Sequence, residues 1–204
     1  MALADLSFKF YTDSSLTSPL GLSTTFTHET DLSDNPQDLR LWFGSVDSQR
    51  KLEASSNPSV DNITLTPTEI LPAWEASTVY AVGDSVEPTV DNTYRYECTV
   101  AGSSNSSEPS WPTTIGNTVN DGGVTWKCVA NTHEPTEIKL ASTVAGLDSA
   151  TAGAALSLGT TILGGSANAV EVNVRITNAV TTVSSNLDQP ELSLFLNSVI
   201  ETQV

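Results

Sequence analysis

Apolar and polar residues alternate with period two along much of the chain. Leu6, Phe8 and Phe10 are separated by Ser7 and Lys9, and Leu39, Leu41 and Phe43 by Arg40 and Trp42. Ile63 and Leu65 follow the polar pair Asp61 and Asn62. Val170, Val172, Val174 and Ile176 are separated by Glu171, Asn173 and Arg175, and Leu192, Leu194 and Leu196 by Ser193 and Phe195. Successive side chains of a strand point to opposite faces, so this spacing predicts strands with one dry face and one wet face. Turn clusters stand between them: SSLTSP, LSDNPQD, SSNPS, LGGSAN and SSNLDQP. Short strands punctuated in this way predict an all-β fold, an antiparallel β-sandwich. The one helical pattern, residues 142–156, contains Gly146 and Gly153. Each glycine weakens a helix by about 1 kcal/mol relative to alanine, so a single turn near residues 147–150 is expected in place of a full helix.

Between residues 73 and 131 the chain changes character. Trp74, Tyr80, Tyr94, Tyr96, Trp111 and Trp126 fall there, whereas the remainder holds one tryptophan, Trp42, and one tyrosine, Tyr11. Strand-like sequence of one type continues on both sides, LTPTEILP before and HEPTEIKLA after. Neither flank alone is long enough to bury much core, so residues 1–72 and 132–204 are expected to form one discontinuous β-sandwich, with 73–131 inserted as a small β-module. Prolines 67, 72 and 135 suit an exposed junction of that kind. A module so short cannot be held by its few aliphatic residues. Each buried aromatic removes roughly 150–250 Å² from water, which makes Trp74, Tyr80, Tyr96 and Trp126 the expected core. Cys98 shares strand parity with Tyr94 and Tyr96, and Cys128 with Trp126, so both thiols are expected in that core as free, buried groups; a Cys98–Cys128 disulfide formed after release from the cell is the alternative.

Charge narrows the partners. Lys and Arg total 8 against 24 Asp and Glu, a net charge of −16 in 204 residues, with no basic run. Binding to nucleic acid draws most of its non-specific affinity from several cations on one face, so nucleic acid is not an expected partner, and the same charge repels anionic membranes. The N-terminal sequence has no basic, then apolar, leader pattern, and no apolar run is long enough to span a bilayer, which predicts a soluble product of the cytosol. The two sequons, at Asn62 and Asn105, are accordingly expected to be chance matches.

Candidate chemistry is sparse. His28 and His133 are the only histidines and lie in no HExxH or HxH arrangement, and neither a GxSxG elbow nor a phosphate-binding GxxxxGK[ST] loop occurs. Asp31, Asp34 and Asp121 fall in turns, where aspartate commonly bonds its own backbone. No catalytic residue, metal ligand or cofactor is expected.

The stretch AWEASTVYAVGDSVEPTVDNTYRYECTVAGSSNSSEPSWPTT carries AW, T-x-Y, GD-x-V, a tyrosine pair and P-x-W in that order. It resembles the small chitin-binding-type carbohydrate-binding modules of bacterial chitinases, families five and twelve, and similar modules in phage virion proteins. The resemblance covers about 60 residues and implies a short twisted β-module, with Gly83 and Asp84 at the turn before the second strand. It also implies sugar contact through aromatic faces, for which Trp111 and Tyr94 are the candidates. The sequence departs from the pattern after the second strand, where Cys98, Thr99, Val100, Ala101 and Gly102 stand in place of an adjacent aromatic pair. Trp111 has a second reading, a core plug folded back by Pro109 and Pro112.

The flanks, among them FKFYTDSSLTSPL, LWFGSVDSQRKLEASSNPSVDNITL and ELSLFLNSVIET, resemble small virion structural proteins encoded among the head and tail genes of tailed phages. That layout implies a non-enzymatic protein, made in the host cytoplasm and placed on the virion exterior. It would be a head decoration protein docked on the major capsid protein or another lattice protein as a homo-oligomer. The alternative it implies is a neck, tail or baseplate adhesin that holds a host surface polysaccharide.

Overall fold

The computed structural model describes residues 6–21, 23–28, 35–178 and 189–204. The protein is all-β. Its strands pair antiparallel, and the only helical elements among the described residues are short 3₁₀ turns. Contacts gather the chain into two compact units, one of Met1–Thr68, Glu134–Asn178 and Ser193–Val204, the other of Glu69–His133 and Ala179–Leu192. The chain thus leaves the first unit after Thr68 and re-enters it at Glu134, slightly outside the 73–131 limits that the aromatic shift suggests.

In the first unit, β1 (Lys9–Tyr11), β2 (Gln37–Gly44), β14 (Val170–Ile176) and β11 (Ile138–Ala141) form a sheet in the order β1-β2-β14-β11. The alternation seen in the sequence sets its two faces. Leu41 lies opposite Val172 and Phe43 opposite Val170, with Leu41, Phe43, Val172 and Val174 buried. Burying each such side chain contributes about 1.5–3 kcal/mol, which fixes the register, because a one-residue slip would turn the set to solvent. The other face carries the charges: Arg40 grips Glu171 through two nitrogens and lies 4.9 Å from the centre of the Trp42 ring, while Arg175 grips Asp38 in the same way and also reaches Asp148.

The unit's other strands form two three-stranded sets that follow one another in space. β12 (Leu156–Gly159) pairs with β4 (Ile63–Glu69), and β13 (Thr161–Leu163) with β3 (Arg50–Ala54); β15 (Leu192–Leu196) and β16 (Val199–Gln203) run along the opposite side. Down the β12–β13 segment the partners are Leu65, Thr64 and Ile63, then Glu53, Leu52 and Lys51. The central strand is therefore continuous in space and interrupted in sequence by the loop of residues 55–62. Gly159, with φ of 100°, absorbs the bend where β12 passes into β13.

Two local expectations change. Leu6 and Phe8 are buried as the alternation predicts, but Phe10 is only half-buried and Tyr11 takes the interior position at 5% exposure. Strand β1 begins only at Lys9, so Leu6 and Phe8 pack from irregular chain and do not set its phase. The glycine-rich 142–156 stretch forms one 3₁₀ turn, Val144–Asp148, three residues earlier than the expected turn. The Thr143 side chain fixes its start by accepting from the Gly146 amide, and Leu147 is buried beneath it. Asp31 and Asp34 lie outside the described residues.

Candidate functional site

The second unit contains the aromatic module. β6 (Ser85–Val86), β7 (Tyr94–Val100), β10 (Val124–Asn131) and β9 (Thr118–Asp121) form a sheet in the order β6-β7-β10-β9, beside the two-stranded pair β5 (Val79–Tyr80) and β8 (Gly102–Ser103). Asp121 pairs with Val124, so Gly122 and Gly123 make a two-residue hairpin turn, and Gly122 has a positive φ of 62°. The turn also lies against β8: the Gly123 amide bonds the Ser103 carbonyl at 2.9 Å, and a Cβ on Gly102 would come within 2.4 Å of the Gly123 oxygen. Glycine at 102 therefore reflects a backbone crossing.

Trp74, Tyr80, Val86, Tyr96, Cys98, Val124, Trp126 and Cys128 close the core, with Tyr94, Trp111, Ile115 and Val119 packed at its margin. The Tyr80 ring stands edge-on to Trp126 at 4.8 Å between centres, a favourable arrangement of ring quadrupoles. All four aromatics expected in the core are buried there.

At the centre lies a carboxylate. Asp121 is fully buried, and one of its oxygens accepts both the Trp74 and the Trp126 indole N–H, at 2.8 and 3.1 Å, while the other accepts the Asn105 amide at 2.8 Å. Its expected role, bonding the backbone of its own turn, is therefore corrected: it ties two distant segments, at Trp74 and Asn105, to the Trp126 arm of its own hairpin. A tryptophan buries a large apolar body only if its N–H finds a partner, and one carboxylate serves two of them. The sequence shows only an aspartate before two glycines.

Trp111 lies in the loop before β9 with its ring against Tyr96 and Trp126, 4.3 and 5.9 Å between centres. Its indole N–H donates to Glu108 at 2.8 Å, and the neighbouring Pro112 carbonyl accepts the Tyr96 hydroxyl at 2.9 Å. The ring is half-buried, and so is that of Tyr94. The ring thus packs against the core margin, as the plug reading expects, with its remaining surface exposed. Burial pushes the Glu108 carboxyl up, but hydrogen bonds from Thr89 and Trp111 outweigh it and hold the group below the usual glutamate range. A lowered folded-state value stabilises the fold above the unfolded value and loses that contribution as pH falls through the folded one. Acidification through that folded value, below the ordinary glutamate range, should therefore release the Trp111 loop. Indole fluorescence should change in the wild type and not in Glu108→Gln; a pH profile identical in the two proteins would remove Glu108 from this role.

Cys98 and Cys128 are free and buried. Cys98 lies opposite Trp126 and Cys128 opposite Tyr96, which makes the cysteines diagonal neighbours on one face. Diagonal positions are roughly 7–8 Å apart, beyond the reach of an unstrained disulfide. The structure holds both as free thiols, the first of the two readings, and labelling decides on a bridge formed later. Burial pushes both thiol pKa values up, so a thiol reagent should label neither at neutral pH in the native protein and both after unfolding. Absence of labelling in the denatured, unreduced protein would mean that the bridge forms.

An open cleft of about 430 Å³ borders the module, lined by Ile70, Pro72, Tyr80, Asp84, Arg95 and Glu191 among others. Glu191 is 1% exposed; it accepts Arg95 at 3.3 Å and the His133 amide at 2.7 Å. Arg95 and Glu191 offset each other, and Asp84, which accepts the Ala81 amide, adds a second carboxylate to the lining. Among the described residues no cluster of three or more His, Cys, Asp or Glu could hold a metal ion, and no helix is long and apolar enough to cross a membrane.

Fold and site together define an all-β protein in which an aromatic-cored β-module, tied by one buried carboxylate, is carried within a second β-unit's sequence. No protein-family model, curated protein or solved structure matches the chain.

Proposed function

We propose that this chain is a non-enzymatic virion structural protein of a tailed phage. Its role is that of a head decoration protein on the particle exterior, docked on the major capsid protein or another lattice protein. The observation that carries the reading is the inward use of the module's aromatics. Trp74, Tyr80, Tyr96 and Trp126 are buried, and Trp111 is stacked on Tyr96 with its N–H taken by Glu108. Rings used in this way stabilise a small domain and leave no paired platform for a sugar; Thr99 and Val100, where the chitinase-type modules have an aromatic pair, are exposed but aliphatic or hydroxylic. A self-supporting module carried by an acidic protein of net charge −16 suits a coat subunit present in many copies.

Mass-spectrometric counting of the chain in purified virions tests this directly. Copies on the order of hundreds, set by lattice symmetry, are expected; a handful would move the protein to the neck or baseplate, and absence from virions would end the proposal.

The adhesin alternative keeps one supporting observation: Trp111 and Tyr94 are half-buried, so part of each ring faces solvent. A glycan array read with wild type and Trp111→Ala separates the two. Specific retention lost in a variant that still folds would favour the adhesin.

A further inference from the structure

The strand made of β15 and β16 is the outer member of its sheet, with β4 and β3 on one side and no described strand on the other. An edge of this length invites pairing with another chain, and proteins usually blunt it with lysine, proline or outward charge. Residues 193–204, SLFLNSVIETQV, carry a single charge, Glu201. That side chain is 8% exposed and turned inward, where it accepts the Ser7 amide and hydroxyl. What faces solvent carries no charge: Phe195 at 58%, Ile200 at 39% and Val204 at 70% exposure, with Ser198 and Gln203 the exposed polar side chains.

Strict alternation would put Phe195 and Ile200 on opposite faces. The break at Asn197 and Ser198 prevents this. The Asn197 side chain turns onto the central strand, accepting from the Thr64 amide and donating to the Asn62 carbonyl. Leu196 and Glu201 then point inward while Phe195 and Ile200 both stay exposed. The backbone follows the same plan. The Asn197 amide bonds Thr64, the Ser198 carbonyl accepts Ser55, and the Val204 amide bonds Gln49, all toward the sheet. Backbone polar groups alternate in direction along an antiparallel strand, so those of Leu194, Leu196, Val199 and Glu201 point away from it.

We propose that this edge pairs with the same edge of a second copy, antiparallel, about a two-fold axis between Asn197 and Ser198. In that register Leu196 exchanges hydrogen bonds with Val199 of the second copy, and Leu194 with its Glu201. Phe195 then falls opposite Ile200 of the second copy at a non-hydrogen-bonded position, where side chains approach most closely. The two-fold repeats each contact, so outward-pointing backbone groups and exposed apolar groups are matched in one register. Charge selects the occupant. At −16, two copies repel along most approaches, and this strip without outward charge lets them close, whereas a cationic partner would find nothing on it to bind. The inference rests on the edge alone and stands whether or not the protein belongs to a virion.

Sedimentation of the full chain at low and high ionic strength tests it. The wild type should show a doubled mass, with a larger dimer share at high salt, where repulsion between copies is screened. Phe195→Lys should be monomeric. Phe195→Lys combined with Ile200→Glu should dimerise again, now more weakly at high salt, because the introduced ammonium and carboxylate face each other across the axis. The reverse swap, Phe195→Glu with Ile200→Lys, supplies the same readout should the first pair fail to fold, as judged by circular dichroism. A wild type monomeric at every salt and concentration, a dimer indifferent to Phe195→Lys, or folded swaps that both fail to restore it would each overturn the proposal. If the wild type is monomeric yet Phe195→Lys strips it from virions, the edge takes a particle strand, and self-pairing is likewise overturned.

Discussion

Asp121→Ala should abolish the cooperative unfolding transition of the aromatic module. The change leaves the Trp74 and Trp126 indoles and the Asn105 amide without the acceptor they share at a fully buried position. Each buried donor left unsatisfied costs about 1–3 kcal/mol. The two buried indoles, with the part-buried Asn105 amide adding less, take up a large share of the stability of a small domain, whose total lies near the lower end of roughly 5–15 kcal/mol. Asp121→Asn should be milder. Its single oxygen can serve either the two indoles or Asn105, so one side of the site keeps its acceptor. Three of the chain's four tryptophans, Trp74, Trp111 and Trp126, belong to this module, so urea unfolding followed by indole emission reports on it selectively. An Asp121→Ala protein within about 1 kcal/mol of wild type, with its cooperative indole transition intact, would show that the carboxylate is dispensable.

The role of Asp121 was not legible in the sequence, and the reason is physical. Hydrophobic periodicity reports which face of a strand is dry: Leu41 and Phe43, Ile63 and Leu65, and Val172 and Val174 are all buried, and of the residues that alternate with them only Asn173 is. Aromatic clustering likewise found Trp74, Tyr80, Tyr96 and Trp126. Neither signal reports which polar group will satisfy the indoles once they are buried, because that depends on segments brought together only by folding: residues 74, 105, 121 and 126. Glu108 escaped notice for the same reason. It lies three residues before Trp111, but its other partner, Thr89, comes from an earlier loop. The Phe10 and Tyr11 inversion has another cause: alternation predicts faces only within a strand, and β1 begins at Lys9, after Leu6 and Phe8.

The C-terminal limit of the module was also hidden, and Glu191 shows why. Residues 189–192 follow a turn cluster far along the sequence, yet by contacts they belong with Glu69–His133. The links are polar: Glu191 accepts Arg95 and the His133 amide, the Ile70 amide bonds the Glu191 carbonyl, and Gln189 donates to the Asn131 carbonyl. No periodic pattern announces a buried ion pair.

That pair carries the second large expected effect. Arg95 and Glu191 have side chains 10% and 1% exposed with 3.3 Å between their charged atoms. Removing one member of a buried pair typically destabilises by about 3–5 kcal/mol, because the other charge is left desolvated. Glu191→Ala also removes the acceptor of the His133 amide, so it should fall in that range, and Arg95→Ala should fall somewhat below it, since Glu191 would keep bonds from His133 and Gln189. Replacing both at once with apolar residues of similar volume, Arg95→Met with Glu191→Leu, should recover most of the loss, since no charge then remains buried. The informative quantity is the coupling in a double-mutant cycle measured by urea unfolding. Strong coupling, with the double variant more stable than either single one, marks a pair whose members need each other; additive losses would mean that Arg95 and Glu191 act independently, through their separate bonds to Ser85 and to the His133 amide.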